Sequence, residues 1–322
     1  MQQISSLIGD ELEKVEIELI NVLSSDVPVI NKAGGYIIGG GGKRFRPLML
    51  LLVAKCCNYS GDKHIKLACI FEYIHTATLL HDDVIDHAKI RRGNSSVNSV
   101  WGNQISVLVG DFLLSKAFSL LVEIGNIKIM KVVSDATTQV AEGETMQTEK
   151  SNDANLTEEE YITIITKKTA SLIAAACQAG AILGDSSSKL EGNFRNYGLN
   201  MGIAFQMMDD ALDYIAEDKK FGKAICKDLQ EGKITLPLIH TLKEASAKDR
   251  ETILKNLKND RFDEEKTSII TNLMEEYQSV NYVLSRAREY INSSLLYLKE
   301  LDSSPIKDAL IDTANYMFER KW

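Results

Sequence analysis

The stretch KLACIFEYIHTATLLHDDVID, Lys66 to Asp86, decides the fold. It reads as one long helix, apolar on nearly every side as a buried helix is, and it ends in three aspartates. Upstream, Pro47 stands where a helix can begin, and LMLLLVAKCC reads as a second central helix. Downstream, ISVLVGDFLLSKAFSLLVEIG is a third, closed by Gly125. QTEKSNDANL reads as a surface loop, and Thr157 with Glu160 forms a capping box for a helix from Tyr161 to Lys168. The small residues of SLIAAACQAGAIL permit close helix packing. GLNMGIAFQMMDDALDYIAED then repeats the apolar helix that runs into acid. From about Ala245 the chain becomes charged and amphipathic, as peripheral helices are. Only four prolines occur, and no strand alternation stands out. The expectation is an all-α protein, a single-domain helical bundle over 1–322. That length exceeds the usual single core, and a deep central cavity would account for the excess.

Composition narrows the function. With 44% hydrophobic residues among 322, a large core is available. A net charge of -8 argues against nucleic acid as a partner. The five cysteines show no metal-binding or redox spacing and suit a reducing cytoplasm. The acidic, amphipathic N-terminus is unlike a signal peptide, and no uncharged apolar run reaches the length of a membrane span. The expectation is a soluble cytoplasmic protein with no stable membrane insertion.

The acidic helix ends form an echo: Asp82, Asp83 and Asp86 in DDVID, then Asp209, Asp210 and Asp213 in DDALD. Positions i and i+4 share a helix face, so Asp82 pairs with Asp86 and Asp209 with Asp213. Like charges so spaced, flanked by apolar ATLL and FQMM, call for a hard cation. Oxygen-only ligands point to Mg²⁺.

Each acidic run is followed by cations: Arg91 and Arg92 in KIRRGN, then Lys223, Lys227 and Lys233 in FGKAICKDLQEGKITLP. GGGGKRFRP adds Lys43, Arg44 and Arg46 behind four glycines, whose lack of side chains lets backbone approach an anion. It is neither a P-loop nor a dinucleotide fingerprint, because Arg44 stands where each needs another residue. A carboxylate and a phosphate at roughly 4 Å repel by about 4 kcal/mol at an effective dielectric near 20. Acids can therefore hold a diphosphate only through bridging metals, whereas arginine and lysine can hold one directly. The sequence offers one anion site of each kind, as two diphosphate substrates with unequal fates would require.

GGGGKRFRP, LLHDDVIDHAKIRRG, KKTASL, GIAFQMMDDALDY and FGK…DLQEGKITLPLI resemble, in order and spacing, the trans-type polyprenyl diphosphate synthases. The resemblance covers essentially the whole chain. It implies an all-helical homodimer that joins an allylic diphosphate head to tail with isopentenyl diphosphate, using Mg²⁺, three ions per active site. By position, Asp82, Asp86 and Asp209 resemble the metal ligands, with Asp83, Asp210 and Asp213 as partner acids. Arg91, Lys168, Lys223 and Lys233 resemble the cations on the allylic diphosphate. Lys43, Arg44, Arg46, His75 and Arg92 resemble the isopentenyl diphosphate pocket. Thr169 and Gln206 stand where the family lines the reacting carbons. GKAICKDL departs from the family in Ala224, Cys226 and the added Lys227.

In this family, the residues one turn before the first acidic motif set product length. Here they are Ala77 and Thr78, both small, with Ile74 a turn further up and Phe118, Phe71, Met130 and Val133 as candidate floors. The resemblance thus implies a long product, roughly seven to ten isoprene units with octaprenyl as the central expectation. A short-chain synthase, a class I terpene cyclase and a non-catalytic partner subunit are the alternatives. A cyclase needs no metal-free site for a second substrate, and a partner subunit would have lost an acidic motif; both motifs are intact.

Overall fold

A computed structural model describes residues 2–215, 226–257 and 264–319. Lys223 and Ala224, named above, lie outside the described residues. In chain order come α1 (Gln2–Val22), α2 (Pro28–Gly39), α3 (Phe45–Cys56) and α4 (Lys63–Ile85), then the strands β1 (Ile90–Arg91) and β2 (Asn94–Ser95). They are followed by α5 (Val97–Trp101), α6 (Asn103–Ile124), α7 (Ile127–Glu149), α8 (Glu158–Ile165), a π-helical turn at Thr166–Ala170, α9 (Ser171–Leu183) and α10 (Ser188–Ile215). The rest is α11 (Lys227–Gln230), α12 (Leu236–Glu244), α13 (Ala247–Leu257), α14 (Glu264–Glu276), α15 (Ser279–Leu296) and α16 (Pro305–Glu319). The fold is all-α, as the apolar periodicity predicts.

The chain clusters into two compact units. The first comprises Met1–Thr137, Ala175–Arg195 and Leu301–Leu310. Its core is α3 and α4: every residue from Leu48 to Ala54 is buried, as are Leu67 to Ile74 on α4. Each such aliphatic side chain contributes about 1.5–3 kcal/mol of burial. The buried Tyr73 donates to the Leu19 carbonyl at 2.6 Å, tying α4 to α1. On the other side Ser106 of α6 donates to the Leu80 carbonyl at 3.0 Å, and Gly110 leaves the room that His81 occupies. Gly125 ends α6 in the left-handed conformation (φ 67°), the C-terminal cap expected of it.

The second unit comprises Thr138–Ala174, Asn196–Glu300 and Ile311–Trp322. The expected capping box is present: Glu160 N donates to Thr157 Oγ1 at 3.2 Å, and Thr157 N to Glu160 Oε2 at 2.9 Å. The helix it starts changes to a π turn after Ile165. Two glycines make room there: a Cβ on Gly143 of α7 would stand 2.4 Å from Lys168 N, and one on Gly202 of α10 would stand 2.5 Å from Ala170 Cα. Further along, α15 buttresses α8, because Tyr282 and Arg286 both donate to Glu158, at 2.6 and 3.0 Å.

Three sequence expectations need adjustment. α7 continues through Glu149, so the loop read from Gln147 begins later. The pair β1–β2 was not expected; its strands are too short to show alternation. α6 is long and apolar enough, by length and composition, to cross a membrane. Asp111 and Lys116 break its uncharged run, which is why the sequence reading passes over it. One face of α6, from Val109 through Leu113, Ala117, Leu120 and Leu121, is buried.

Candidate functional site

The first unit gathers its chemistry where α4 ends. Asp82 and Asp83 occupy the last turn and Asp86 is the C-cap, with no basic residue in that turn. Carboxylates at a helix C-terminus face the negative end of the dipole, a disfavoured placement unless cations arrive from elsewhere. Arg91 supplies one. Its Nε and Nη2 donate to Asp83 Oδ1 at 2.9 and 2.5 Å, and Asp83 is completely buried. Desolvation opposes the Arg91 charge, but Asp83 outweighs it and raises the guanidinium's pKa. Asp82 and Asp86, by contrast, stay half-buried at the motif's open side.

A short hairpin brings Arg91 there. Ile90 pairs with Ser95 and Arg91 with Asn94, leaving Arg92 and Gly93 as the turn, at φ 53° and 79°. Two consecutive residues at positive φ make the primed turn that matches strand twist. Three anchors hold it. Arg91 binds α4, Tyr36 of α2 donates to the Ser95 carbonyl at 2.8 Å, and Arg92 donates to the Gly41 carbonyl. The glycine run answers to Arg92: Gly41 takes φ 78°, and a Cβ on Gly42 would meet the Arg92 guanidinium at 2.8 Å.

Of the three cations behind the glycines, one is engaged by the protein itself. Arg44, in the left-handed conformation at φ 45°, is 8% exposed. It forks onto Glu16 at 2.5 and 3.0 Å, donates to Glu72 at 2.8 Å and caps α2 through the Ile38 carbonyl at 2.8 Å. Burial works against its charge, yet Glu16 and Glu72 raise its pKa overall. Four of its five N–H donors are spent within the protein, which favours a structural cation over a substrate ligand at Arg44. Lys43 is exposed on the same turn and Arg46 half-buried.

Arg46 stands with His75 and Arg92. Burial drives the His75 imidazole well below its ordinary value, helped by Arg46, Arg92, Arg91 and Arg44 in that order. Arg92 is also lowered, by desolvation first, with Arg44 and Arg91 adding to it. Partly desolvated cations that depress one another would be relieved by a nearby anion.

Along α4 from this cluster, Ile74 and Ala77 are buried, and the Thr78 hydroxyl donates to the His75 carbonyl at 2.7 Å. Phe71 and Val133 are fully buried. Phe118 is 38% exposed, on the face of α6 with Val107, Leu108 and Val122. Phe118, one of the candidate floors, stands away from α6's buried side, which Leu113, Ala117, Leu120 and Leu121 take.

In the second unit, α10 also carries its acids at the C-terminal end with no basic residue in the last turn. Asp209 is half-buried, whereas Asp210 is buried and raised to about 6, by desolvation first. Tyr161 donates to Asp210 Oδ2 at 2.6 Å, Gln206 Nε2 donates to Asp210 Oδ1 at 2.8 Å, and Thr169 Oγ1 donates to Gln206 Oε1 at 2.8 Å. Asp213 accepts from the Asp228 amide at 3.0 Å and is raised by burial. Asp228 is itself raised well above its ordinary value, by burial and then by the charges of Asp210 and Asp213.

Lys168 lies in the π turn, where its Nζ donates to Gln147 at 2.6 Å and pairs with Glu144. Lys233 pairs with Glu231 at 2.8 Å. Sequence reasoning did not single out Asp228, Tyr161, Glu144 or Gln147. Asp228 was legible as an acid within DLQEGK, but the others meet the site only through packing.

The donors fit a hard divalent cation: carboxylate oxygens, at disfavoured helix ends, with Asp213 raising Asp210 and both raising Asp228. Among the described residues no three His, Cys, Asp or Glu side chains are gathered closely enough to hold an ion on their own.

The sequence profile described as polyprenyl synthetase matches residues 27–274. The chain is similar to the octaprenyl diphosphate synthase of Escherichia coli, 37% identical over 320 residues, covering 99% of each chain. It is 38% identical over 326 residues to that of Haemophilus influenzae, covering 100% of this chain and 98% of the relative. Among solved structures it resembles the Caulobacter crescentus polyprenyl synthase complexed with calcium and isoprenyl diphosphate, at TM-score 0.95 and 35% identity, over 99% of this chain and 97% of that one.

Proposed function

The chain belongs to the polyprenyl synthetase family, and from that premise we propose that it is a long-chain, Mg²⁺-dependent synthase whose main product is octaprenyl diphosphate. Condensation of prenyl chains is the family's activity, with allylic and isopentenyl diphosphates as substrates. One observation carries the assignment of roles: acids held up and cations held down, in separate places. Asp210, Asp213 and Asp228 are raised first by burial, and neighbouring carboxylates add to it. His75 and Arg92 are lowered first by burial, and neighbouring arginines add to it. The first group suits an anion brought with metal, the second an anion bound directly.

On this reading Asp82, Asp86 and Asp209 hold Mg²⁺, three ions per active site, and Arg91, Lys168, Lys223 and Lys233 grip the allylic diphosphate. Lys43, Arg46, His75 and Arg92 hold isopentenyl diphosphate, which keeps its diphosphate throughout. Bound Mg²⁺ supplies neutralisation of charge that develops on the departing diphosphate. Arg91, steadied by Asp83, keeps a fixed positive charge at that leaving group. Thr169 and Gln206 face the carbon left electron-deficient when the allylic C–O bond breaks. The double bond of isopentenyl diphosphate attacks that carbon, and the released diphosphate takes the proton then lost. Apolar walls around that carbon exclude water from the cation.

The similarity to two octaprenyl synthases and the small Ala77 support the long product. The whole chain acts as one catalytic domain in the cytoplasm. The apolar outer face of α6, with Leu108 59% and Val122 65% exposed, supports a homodimer built on that helix. Leu108→Glu with Val122→Glu should then give monomers on size-exclusion chromatography, and an unchanged elution would refute that assembly. The activity test uses purified protein, labelled isopentenyl diphosphate and allylic primers of several lengths, with and without Mg²⁺. Long lipids formed only with Mg²⁺ are expected. Products that stop at the first additions, or cyclic hydrocarbons from the primer alone, would overturn the assignment.

A further inference from the structure

The second unit contains a chain of hydrogen bonds whose direction is fixed from its buried end. Asp210, 4% exposed, accepts at both of its oxygens. Tyr161, 3% exposed, must therefore donate to Oδ2, and the Gln206 amide must present its NH₂ group to Oδ1. That choice turns the Gln206 carbonyl oxygen towards Thr169, so the Thr169 hydroxyl has to donate. Its proton is committed, and only oxygen lone pairs remain on its other side. The elements are held in register: Gln206 and Asp210 are i and i+4 on α10, and Gly202 lets α10 approach the π turn that carries Thr169. A π turn inside a helix often marks a functional position.

We propose that Tyr161, Asp210 and Gln206 form a relay that fixes the direction of the Thr169 hydroxyl, with Tyr161 as a positioning residue for the condensation. The inference rests on the reading that Thr169 stands at the reacting carbons. An oxygen whose proton points away from the developing cation offers it the negative end of a preorganised dipole. Without Tyr161, Asp210 is free to rotate, Gln206 can flip, and Thr169 can turn its proton towards the carbon. Tyr161 touches no reactant on this account; it acts two residues away.

The test is a double-mutant cycle on the first condensation under single-turnover conditions, with Mg²⁺ and both diphosphates. Tyr161→Phe should slow that step about 10-fold while the half-saturating concentrations of both substrates stay within about twofold. Thr169→Val should slow it at least as much, and Thr169→Ser should retain most of the rate. The double variant Tyr161→Phe with Thr169→Val should be no slower than Thr169→Val alone, because both cut one relay. Multiplicative losses, or a rise in half-saturation for the allylic diphosphate, would overturn the relay. If Thr169→Val lowers the rate and Tyr161→Phe does not, the relay alone falls. If Thr169→Val leaves the rate unchanged, the placement of Thr169 falls and the relay with it. Should Tyr161→Phe not fold, Gln206→Met cuts the relay at its middle, and the same non-additivity with Thr169→Val is required.

Discussion

Gly42 and Arg92 are so close that a methyl group built on the glycine would stand 2.8 Å from the arginine's Nη1. The first atoms met are the far end of a long, flexible side chain, and Gly42, unlike Gly41, lies outside the left-handed region. Gly42→Ala therefore has a cheap way to relax, which is to displace the guanidinium. Stability should change by less than about 1 kcal/mol, while the KM for isopentenyl diphosphate rises roughly 10-fold. Urea unfolding and steady-state kinetics read the two separately. A large loss of stability with normal KM would mean that the glycine serves the fold instead.

Neighbouring cations should part company in the same way. Arg44→Met leaves Glu72, 2% exposed, without its arginine, and stranding a buried charge costs about 3–5 kcal/mol. Lys43→Met removes an exposed cation and should leave the unfolding midpoint within experimental error while raising the KM for isopentenyl diphosphate. Equal effects of the two substitutions on KM would reinstate Arg44 as a substrate ligand.

Asp210 makes stability depend on pH with a definite sign. Its folded value, about 6, lies above the ordinary 3.8. The folded protein thus keeps a proton that the unfolded chain releases, and the stability this confers is fully present below 3.8 and lost as pH rises through 6. Relative to Asp210→Asn, the metal-free protein should lose on the order of 3 kcal/mol across that window. His75 runs the other way, its contribution being lost as pH falls below 6.5, but the comparison with the variant cancels it. Mg²⁺ should raise the Tm more at pH 7.5 than at pH 5, where a proton already occupies the acid. Equal stabilisation at both pH values would separate the metal from this cluster.

The fold was legible where a local pattern encodes it: apolar runs for α3, α4 and α6, Gly125 as a stop, Thr157 and Glu160 as a start. The acidic ends were legible too, since i and i+4 spacing is a property of one helix. Arg44 was not. In KRFR the three cations Lys43, Arg44 and Arg46 look alike, and the fate of Arg44 is set by Glu16 on α1 and Glu72 on α4, each 28 residues distant. The π turn left no local mark either, because it arises where Gly143 and Gly202 let two other helices close in on Lys168 and Ala170. The relay from Tyr161 to Thr169 follows from that packing, which is why sequence reasoning found its outer members and missed its anchor.

Product length turns on Ala77, whose surroundings allow a test with two independent readouts. It is 2% exposed on α4, with Ile74 and Leu80 fully buried beside it. In a solid core a tyrosine at this position has nowhere to go, and overpacking costs about 1–3 kcal/mol. Beside a lumen that admits a growing prenyl chain, the ring enters the lumen and the fold barely notices. Ala77→Tyr should therefore shift the lipid products to markedly shorter chains, with a change in unfolding free energy below about 1 kcal/mol. Thr78→Tyr makes the control one position on, where the half-buried side chain bonds its own helix at the His75 carbonyl. A destabilised enzyme that still made its full-length product would mean that the chain grows along another wall, and Ile74 would leave the product path together with Ala77.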